Sequence, residues 1–307
     1  MTRRDCLKYS SSLAIASSQA PASASAGALL IGAPVFLRSE DPVALAREHR
    51  RLGYSAAYCP PVKISEKEKL RAIEAAFAKE NVVIAEVGAW KNLLDVDPVK
   101  RKENFDYVVE RMAIADEVGA RCCVDISGSY NEKFWYGPHP RNLSKTGFDE
   151  TVENCRRILD AVKPKRSFFT LEVMGWTYPD TPDSYLRLLK AIDRKHFAVH
   201  LDVCNAVNSP EKFYGNAALI EECFRKLGPY IKSCHAKDLE WVVELNVHFL
   251  EVIPGRGQLD YKAYLRGLRS LKTPVPLMLE HLKTAEEYKE GFDSIKKIAG
   301  EMNYPLA

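Results

Sequence analysis

Short apolar runs alternate along this chain with longer stretches in which apolar residues recur at helical spacing. The runs at 28–37, 55–59, 82–88, 121–127, 167–174, 197–203, 231–236 and 275–280 are rich in β-branched and aromatic residues and predict eight strands. The stretches at 42–52, 65–80, 98–118, 147–163, 182–193, 216–228, 260–271 and 284–302 predict eight amphipathic helices. Ser65-Glu-Lys-Glu, Thr181-Pro-Asp-Ser and Thr284-Ala-Glu-Glu read as helix starts. Gly53, Gly119 and Gly228 stand where helices should end. Strict strand–helix alternation without antiparallel hairpins limits the α/β options to a barrel or a doubly wound sheet, and eight units favour the barrel. The fold expected is therefore a single-domain (β/α)8 TIM barrel spanning 27–307, close to the ~250 residues typical of that architecture. No GxGxxG follows the first strand, which counts against a dinucleotide-binding domain.

The pattern breaks in the first 26 residues, MTRRDCLKYSSSLAIASSQAPASASA. A twin arginine (Arg3, Arg4), a weakly apolar Ser/Ala stretch and a terminal Ala24-Ser25-Ala26 resemble a twin-arginine export signal with a small-x-small cleavage site. An exported, periplasmic protein is the expectation, with a cytoplasmic one if 1–26 is only a polar tail. Charge sharpens the division. The full chain has 44 Lys+Arg against 41 Asp+Glu, but beyond residue 26 the balance is 41 against 40. Neither nucleic acid nor an anionic membrane is indicated as partner. No run of 18 apolar residues occurs. Eight Cys are present without a CxxC pair, so a zinc ribbon or thioredoxin motif is unsupported, and buried free thiols are expected.

The chemistry is concentrated at strand ends, where barrels of this kind place their sites. Glu172 ends FFTLEVM, Asp202 and Asn205 end FAVHLDVCN, His235 and Asp238 end IKSCHAKD, and Glu280 and His281 end PLMLEH. Buried charge is unfavourable unless paired or bound to a metal, and four successive strands each carry one ionisable residue. Glu172, Asp202, His235 and Glu280 lie 30, 33 and 45 residues apart, each step about one strand–helix unit. Three carboxylates and one imidazole form a hard donor set. It suits one divalent cation, Mn²⁺ first, with Mg²⁺, Co²⁺ or Zn²⁺ as alternatives.

The pieces TLEVM, HLDVCN, SCHAKD, PGRGQLDY and LMLEH, in that order, resemble the xylose-isomerase-like barrel superfamily of sugar isomerases and epimerases. The resemblance covers essentially the whole chain beyond residue 26. It implies that Glu172, Asp202, His235 and Glu280 bind one divalent cation, and that Glu172 and Glu280 face each other across a carbohydrate substrate. Many members carry a His three residues after the Asp. Asn205 stands there in this chain, and it can hydrogen-bond a hydroxyl but cannot titrate. Similar barrels often pair, so a second copy or a partner subunit is compatible with the resemblance.

The activity expected is metal-dependent proton abstraction beside a sugar carbonyl, through a metal-stabilised enediolate, with Glu172 and Glu280 as the catalytic pair. The alternative keeps the site and changes the bond: β-elimination from a 3-keto-glycoside, the chemistry of C-glycoside deglycosidases. Two remoter readings are an endonuclease IV-like nuclease, which needs further His ligands and a basic face, and a non-catalytic sugar-binding barrel. Weaker candidates surround the core set. Glu86 binds substrate hydroxyls or sits in a buried ion pair. His200 lines the site or fills the barrel. Trp90, and His139 in the loop FWYGPHPRNLS, supply a wall or lid. Arg256 reaches a substrate oxygen or forms a surface turn. Asp238 orients a metal ligand from behind. Asp125 is a further strand-end carboxylate. His248 and Glu251 lie in the loop after strand seven. His49 and His196 are read as surface residues.

Overall fold

The computed structural model describes residues 27–307, so the twin-arginine segment lies outside the described residues. Its strands are β1 (Leu30–Gly32), β2 (Ala56–Tyr58), β3 (Val83–Gly88), β4 (Cys122–Asp125), β5 (Phe168–Glu172), β6 (Phe197–Leu201), β7 (Ile231–Ala236), β8 (Asp238–Trp241), β9 (Phe249–Val252) and β10 (Pro276–Leu279). Eight of them close a barrel in the order β1-β10-β7-β6-β5-β4-β3-β2. All neighbouring pairs in it are parallel. The helices are α1 (Pro42–Arg51), α2 (Lys67–Lys79), α3 (Pro98–Val118), α4 (Lys145–Val162), α5 (Pro182–Ile192), the short α6 (Val203–Ala206) and α7 (Pro210–Tyr214), α8 (Asn216–Leu227), α9 (Tyr261–Arg269) and α10 (Ala285–Glu301). Eight long helices thus surround eight parallel strands, the architecture the alternation predicts. None of the described helices is long and apolar enough to cross a membrane.

One element departs from strict alternation. Strands β8 and β9 form an antiparallel hairpin directly after β7, with Asp238 opposite Val252 and Trp241 opposite Phe249. Its tip carries exposed Val243 and Leu245. The hairpin has little burial to reinforce a two-residue period, so its pattern does not stand out among loop residues. Strand β1 is also shorter than the apolar run 28–37. Pairing ends at Gly32, and Pro34 then lacks the N–H that a ladder would need.

Helix ends follow the local chemistry. Thr181 and Ser184 exchange side-chain bonds in a capping box at α5, and Thr284 accepts the Glu287 N–H at α10. Ser65 does not cap α2. The helix starts at Lys67, and Glu66 turns its carboxylate back to the Lys63 N–H. Gly119 ends α3 with φ +67°, the left-handed geometry that glycine adopts without strain.

Most of the apolar core lies between strands and helices, where Ile31, Phe77, Met112, Ile158, Phe169, Tyr185 and Leu265 are fully buried. The barrel interior has a small apolar floor of Ala56, Ala85 and Met278. Gly32 lets that floor close, since a Cβ there would collide with the Ala56 carbonyl oxygen. Above the floor the interior is polar, with Glu86, His200, Ser233 and His235 all buried. His49, expected at the surface, is 4% exposed, because the last turn of α1 presses its ring against Phe77 and Tyr54. His196 is partly covered, its Nδ1 lying 2.9 Å from the Ser167 carbonyl oxygen. All seven described cysteines are free, and six of them are buried.

Candidate active site

Four adjacent barrel strands, β5, β6, β7 and β10, bring Glu172, Asp202, His235 and Glu280 together at their C-terminal ends. Glu172 is the last residue of β5, His235 the fifth of β7, and Glu280 the first after β10. Asp202 follows β6 and caps α6, its Oδ1 accepting the Asn205 N–H at 3.1 Å. Each position lets a strand-end side chain enter the barrel while its backbone stays in the ladder or cap.

The His235 Nδ1 lies 2.9 Å from Glu172 Oε1, 3.0 Å from Glu280 Oε2 and 3.5 Å from Asp202 Oδ2. A single N–H has one direction and cannot serve three carboxylates. Lys237 adds an ammonium 2.9 Å from Asp202 Oδ2 and 2.8 Å from Glu280 Oε2. These distances are ion-pair distances, yet neither oxygen receives a hydrogen bond of acceptable direction, and both are buried acceptors without a partner. Orphaned carboxylate oxygens converging with an imidazole nitrogen fit a hard divalent cation. Glu172, Asp202, His235 and Glu280 are the residues that would hold it.

The electrostatics follow from burial and proximity. Burial pushes the Glu172 carboxyl above its ordinary value, only partly opposed by Lys237 and His235. The same burial acts on Asp202 and Glu280, but Lys237 and His235 outweigh it. Asp202 falls far below the carboxylate range and Glu280 sits at about 2. Burial disfavours charge on His235 and Lys237 as well, yet the surrounding carboxylates raise both well above their usual values. The cluster therefore demands positive charge at its centre.

Beneath it lies a second polar group. Glu86 Oε2 is 3.3 Å from His235 Nε2, and Glu86 Oε1 meets His200 Nε2 at 3.0 Å and the Ser233 hydroxyl at 2.5 Å. Glu86 and His200 are 0% exposed, and the Glu86 oxygens are spent on His200, Ser233 and His235 rather than turned toward a substrate. They fill the barrel and hold His235 from behind.

Asn205 and Trp90 stay beside the site. The Asn205 amide donates to Glu172 Oε1 at 3.1 Å. Trp90 has φ +49°, uncommon for a bulky residue, and its ring centroid lies 6.4 Å from that of His235. Gly88 makes this possible, since a Cβ there would collide with the indole Nε1.

The structure places five other candidates elsewhere. Arg256 forks onto Glu290 of α10, at 2.5 and 2.8 Å, on the surface. Asp238 does not touch the four-residue cluster. Its carboxylate accepts the N–H groups of Leu239, Gly255, Gly257 and Leu259, tying the PGRGQL turn to the end of β7. Asp125 similarly accepts the Lys91 and Ile126 N–H groups. His139 accepts the Arg141 N–H and packs against Tyr130. Its loop is pinned by buried Asn142, bonded to Ser129, Gly137 and Trp176. His248 pairs with Glu244 on the hairpin.

Sequence reasoning gives Lys237 and Ser233 no role at the site, and Glu251 only a place in a loop. Lys237 stands two residues after His235 and so projects on the same strand face, a signal present in SCHAKD. Glu251, from β9, lies 3.7 Å from the Lys237 Nζ and 2.8 Å from His281 Nδ1. Ser233, two residues before His235, supports Glu86.

No curated protein sequence matches the chain. Solved structures match it at low identity and over nearly their full lengths. The 3-keto-D-glucoside 4-epimerase of E. coli is 13% identical, covering 88% of this chain and 99% of its own, with TM-score 0.60. D-psicose 3-epimerase with D-tagatose from Clostridium cellulolyticum is 14% identical, covering 91% and 100%, with TM-score 0.62. Endonuclease IV of Thermus thermophilus is 13% identical, covering 89% and 99%, with TM-score 0.65. These likenesses establish the fold. The family model for xylose isomerase-like TIM barrels matches residues 47–298, and the chain belongs to that family.

Proposed function

We propose that this barrel is a divalent-cation-dependent sugar isomerase or epimerase that moves a proton at a carbon next to a carbonyl. The observation carrying this reading is the placement of two carboxylates. Glu172 and Glu280 stand at the two ends of the four-strand arc, yet both come within 3.0 Å of the same His235 nitrogen. A carbohydrate seated between them meets one carboxylate on each face. Glu172, Asp202, His235 and Glu280 would hold a divalent cation, Mn²⁺ being the first choice, and it would supply polarisation of the substrate carbonyl. One carboxylate takes the proton and the other returns it, so a centre inverts when the two act from opposite faces. They titrate as a coupled pair, and neither is assigned the acid or the base role alone. Asn205 fixes the Glu172 carboxylate through its amide. Trp90 supplies an apolar wall beside His235.

A second reading has one observation in its favour. Asn205 contacts Glu172 where many family members carry a titratable His. The same pair is also compatible with β-elimination from a 3-keto-glycoside. One carboxylate takes the proton beside the keto group, and a C=C bond forms as the bond to the glycosidic substituent breaks. The departing group takes its proton from the other carboxylate or from water, so that no titratable group is needed at Asn205. The export signal read at 1–26 favours unphosphorylated sugars in either case.

The test supplies Mn²⁺ and either free ketoses or 3-oxo-glycosides in D₂O, with wild type, Glu172→Gln and Glu280→Gln. Isomerase or epimerase action puts solvent deuterium into the sugar, and each variant loses roughly 10²–10⁴-fold in rate. Aglycone release without deuterated ketose establishes the lyase. Full activity in either variant removes the carboxylate pair from the mechanism.

A further inference from the structure

The opposite mouth of the barrel, at the N-terminal strand ends, holds a cavity of about 740 Å³. Its ionisable side chains are Arg50, Glu74, Arg121, Arg166 and Lys232, four cationic against one acidic, and Ala307 lines it as well. The acidic side chain is already taken, since Arg166 holds Glu74 at 2.7 Å. Arg50 donates to the backbone oxygens of Tyr54 and Ala307. Arg121 and Lys232 remain. Among the described residues the Arg121 guanidinium has no hydrogen-bond or ion-pair partner, and the Lys232 ammonium has only the Phe168 ring, 4.1 Å away. Both side chains are half-buried.

The two cations are partly desolvated, and neither has a counter-ion among the described residues. A guanidinium offers five donors, and those of Arg121 are met only by the water that still reaches this half-buried side chain. Burial lowers the pKa of both groups, and Arg121 further lowers that of Lys232, so the two cations feel each other. An anion between them relieves the desolvation and the repulsion together. The walls of Phe168, Ile231 and Val275 are apolar, and the volume falls in the range of small-molecule sites.

We propose that the N-terminal mouth binds a small organic oxyanion, its charged group between Arg121 and Lys232 and its apolar body against Phe168 and Val275. The site is separate from the carboxylate cluster, whose three carboxylates would repel such a ligand, and it stands whether or not the sugar reading holds.

The test is calorimetric titration of the full chain with phenyl phosphate and with inorganic phosphate, at constant ionic strength set with chloride. Saturable binding of phenyl phosphate below about 1 mM is expected, tighter than that of inorganic phosphate. Arg121→Gln and Lys232→Met should each weaken it at least tenfold. Melting without anion adds a second readout: because Arg121 has no partner, Arg121→Gln should melt no lower than wild type. Absence of saturable binding overturns the proposal. So does an affinity unchanged in both variants, which would put the anion elsewhere. If Arg121→Gln fails to fold, Lys232→Met decides alone.

Discussion

Glu86 lies beneath His235, with its Oε2 3.3 Å from the imidazole Nε2, and its other oxygen is held by His200 and Ser233. Burial acts to raise the Glu86 pKa, but His200 and His235 overturn that and hold the carboxyl far below its ordinary value. It is thus a fixed anion that accepts the Nε2 proton and presents Nδ1 to the carboxylate cluster. Such a partner orients a metal-binding histidine and sets its tautomer. Glu86→Gln keeps the shape but removes the charge. Its Mn²⁺ affinity, measured by calorimetry, should fall roughly 10–100-fold. Nitrogen NMR of His235 should show a changed tautomer balance. Wild-type affinity in the variant would reduce Glu86 to a packing residue.

Lys237 answers a different demand. Its ammonium lies within 4 Å of Glu172, Asp202, Glu251 and Glu280 while its side chain is 2% exposed. Removing one partner from a buried ionic group leaves uncompensated charge, typically a loss of about 3–5 kcal/mol. Lys237→Met should therefore lower the melting temperature strongly in the presence of a chelator. Saturating Mn²⁺ should recover most of the loss, because the cation supplies the missing charge. Equal destabilisation with and without metal would mean that Lys237 acts through packing instead.

Asp238 governs the turn beside the site. Its carboxylate accepts four backbone N–H groups, and Gly257 approaches so closely that a Cβ there would collide with Oδ1. Asp238→Asn replaces one acceptor oxygen with an amide that faces donors. Leaving buried donors unmet should destabilise the protein by about 2–3 kcal/mol in urea unfolding. Faster hydrogen exchange at Gly255, Gly257 and Leu259 should accompany the loss. Unchanged exchange at those amides would count against the pinning role.

The fold and the candidate metal set were legible because both express a repeating pattern. Glu172, Asp202, His235 and Glu280 each interrupt an apolar run near a strand end, and eight such runs alternate with helices. Depth within the barrel was not legible. Glu86 looks like another strand-end carboxylate, but the register sets it level with Cys122, the first residue of β4, whereas Glu172 is the last residue of β5. That difference turns a substrate-binding candidate into a support for His235. Partner choice was hidden too. Arg256 and Glu290 are 34 residues apart, and only the docking of α10 brings them together. Lys237 was within reach of simple strand alternation, since its side chain shares the His235 face.

His49 offers a test of buried histidine at a distance from the site. Its ring is 4% exposed, lies 5.5 Å from Phe77, and places Nδ1 2.8 Å from the Leu45 carbonyl oxygen. Burial lowers its pKa below 6.5, opposed only in part by the Leu45 carbonyl and Glu48. In the unfolded chain the ring titrates near ~6.5. As pH falls through that value, the unfolded state gains a proton that the fold resists, so stability drops below about pH 6.5 and is full above it. His49→Gln removes this titration along with some packing. The variant should be less stable than wild type at pH 8, and the gap should narrow on acidification by at most about 1.4 kcal/mol per pH unit. Urea midpoints at pH 8, 6.5 and 5.5 measure it. A gap that stays constant across this range would show that His49 accepts its proton in the fold as readily as in the unfolded chain.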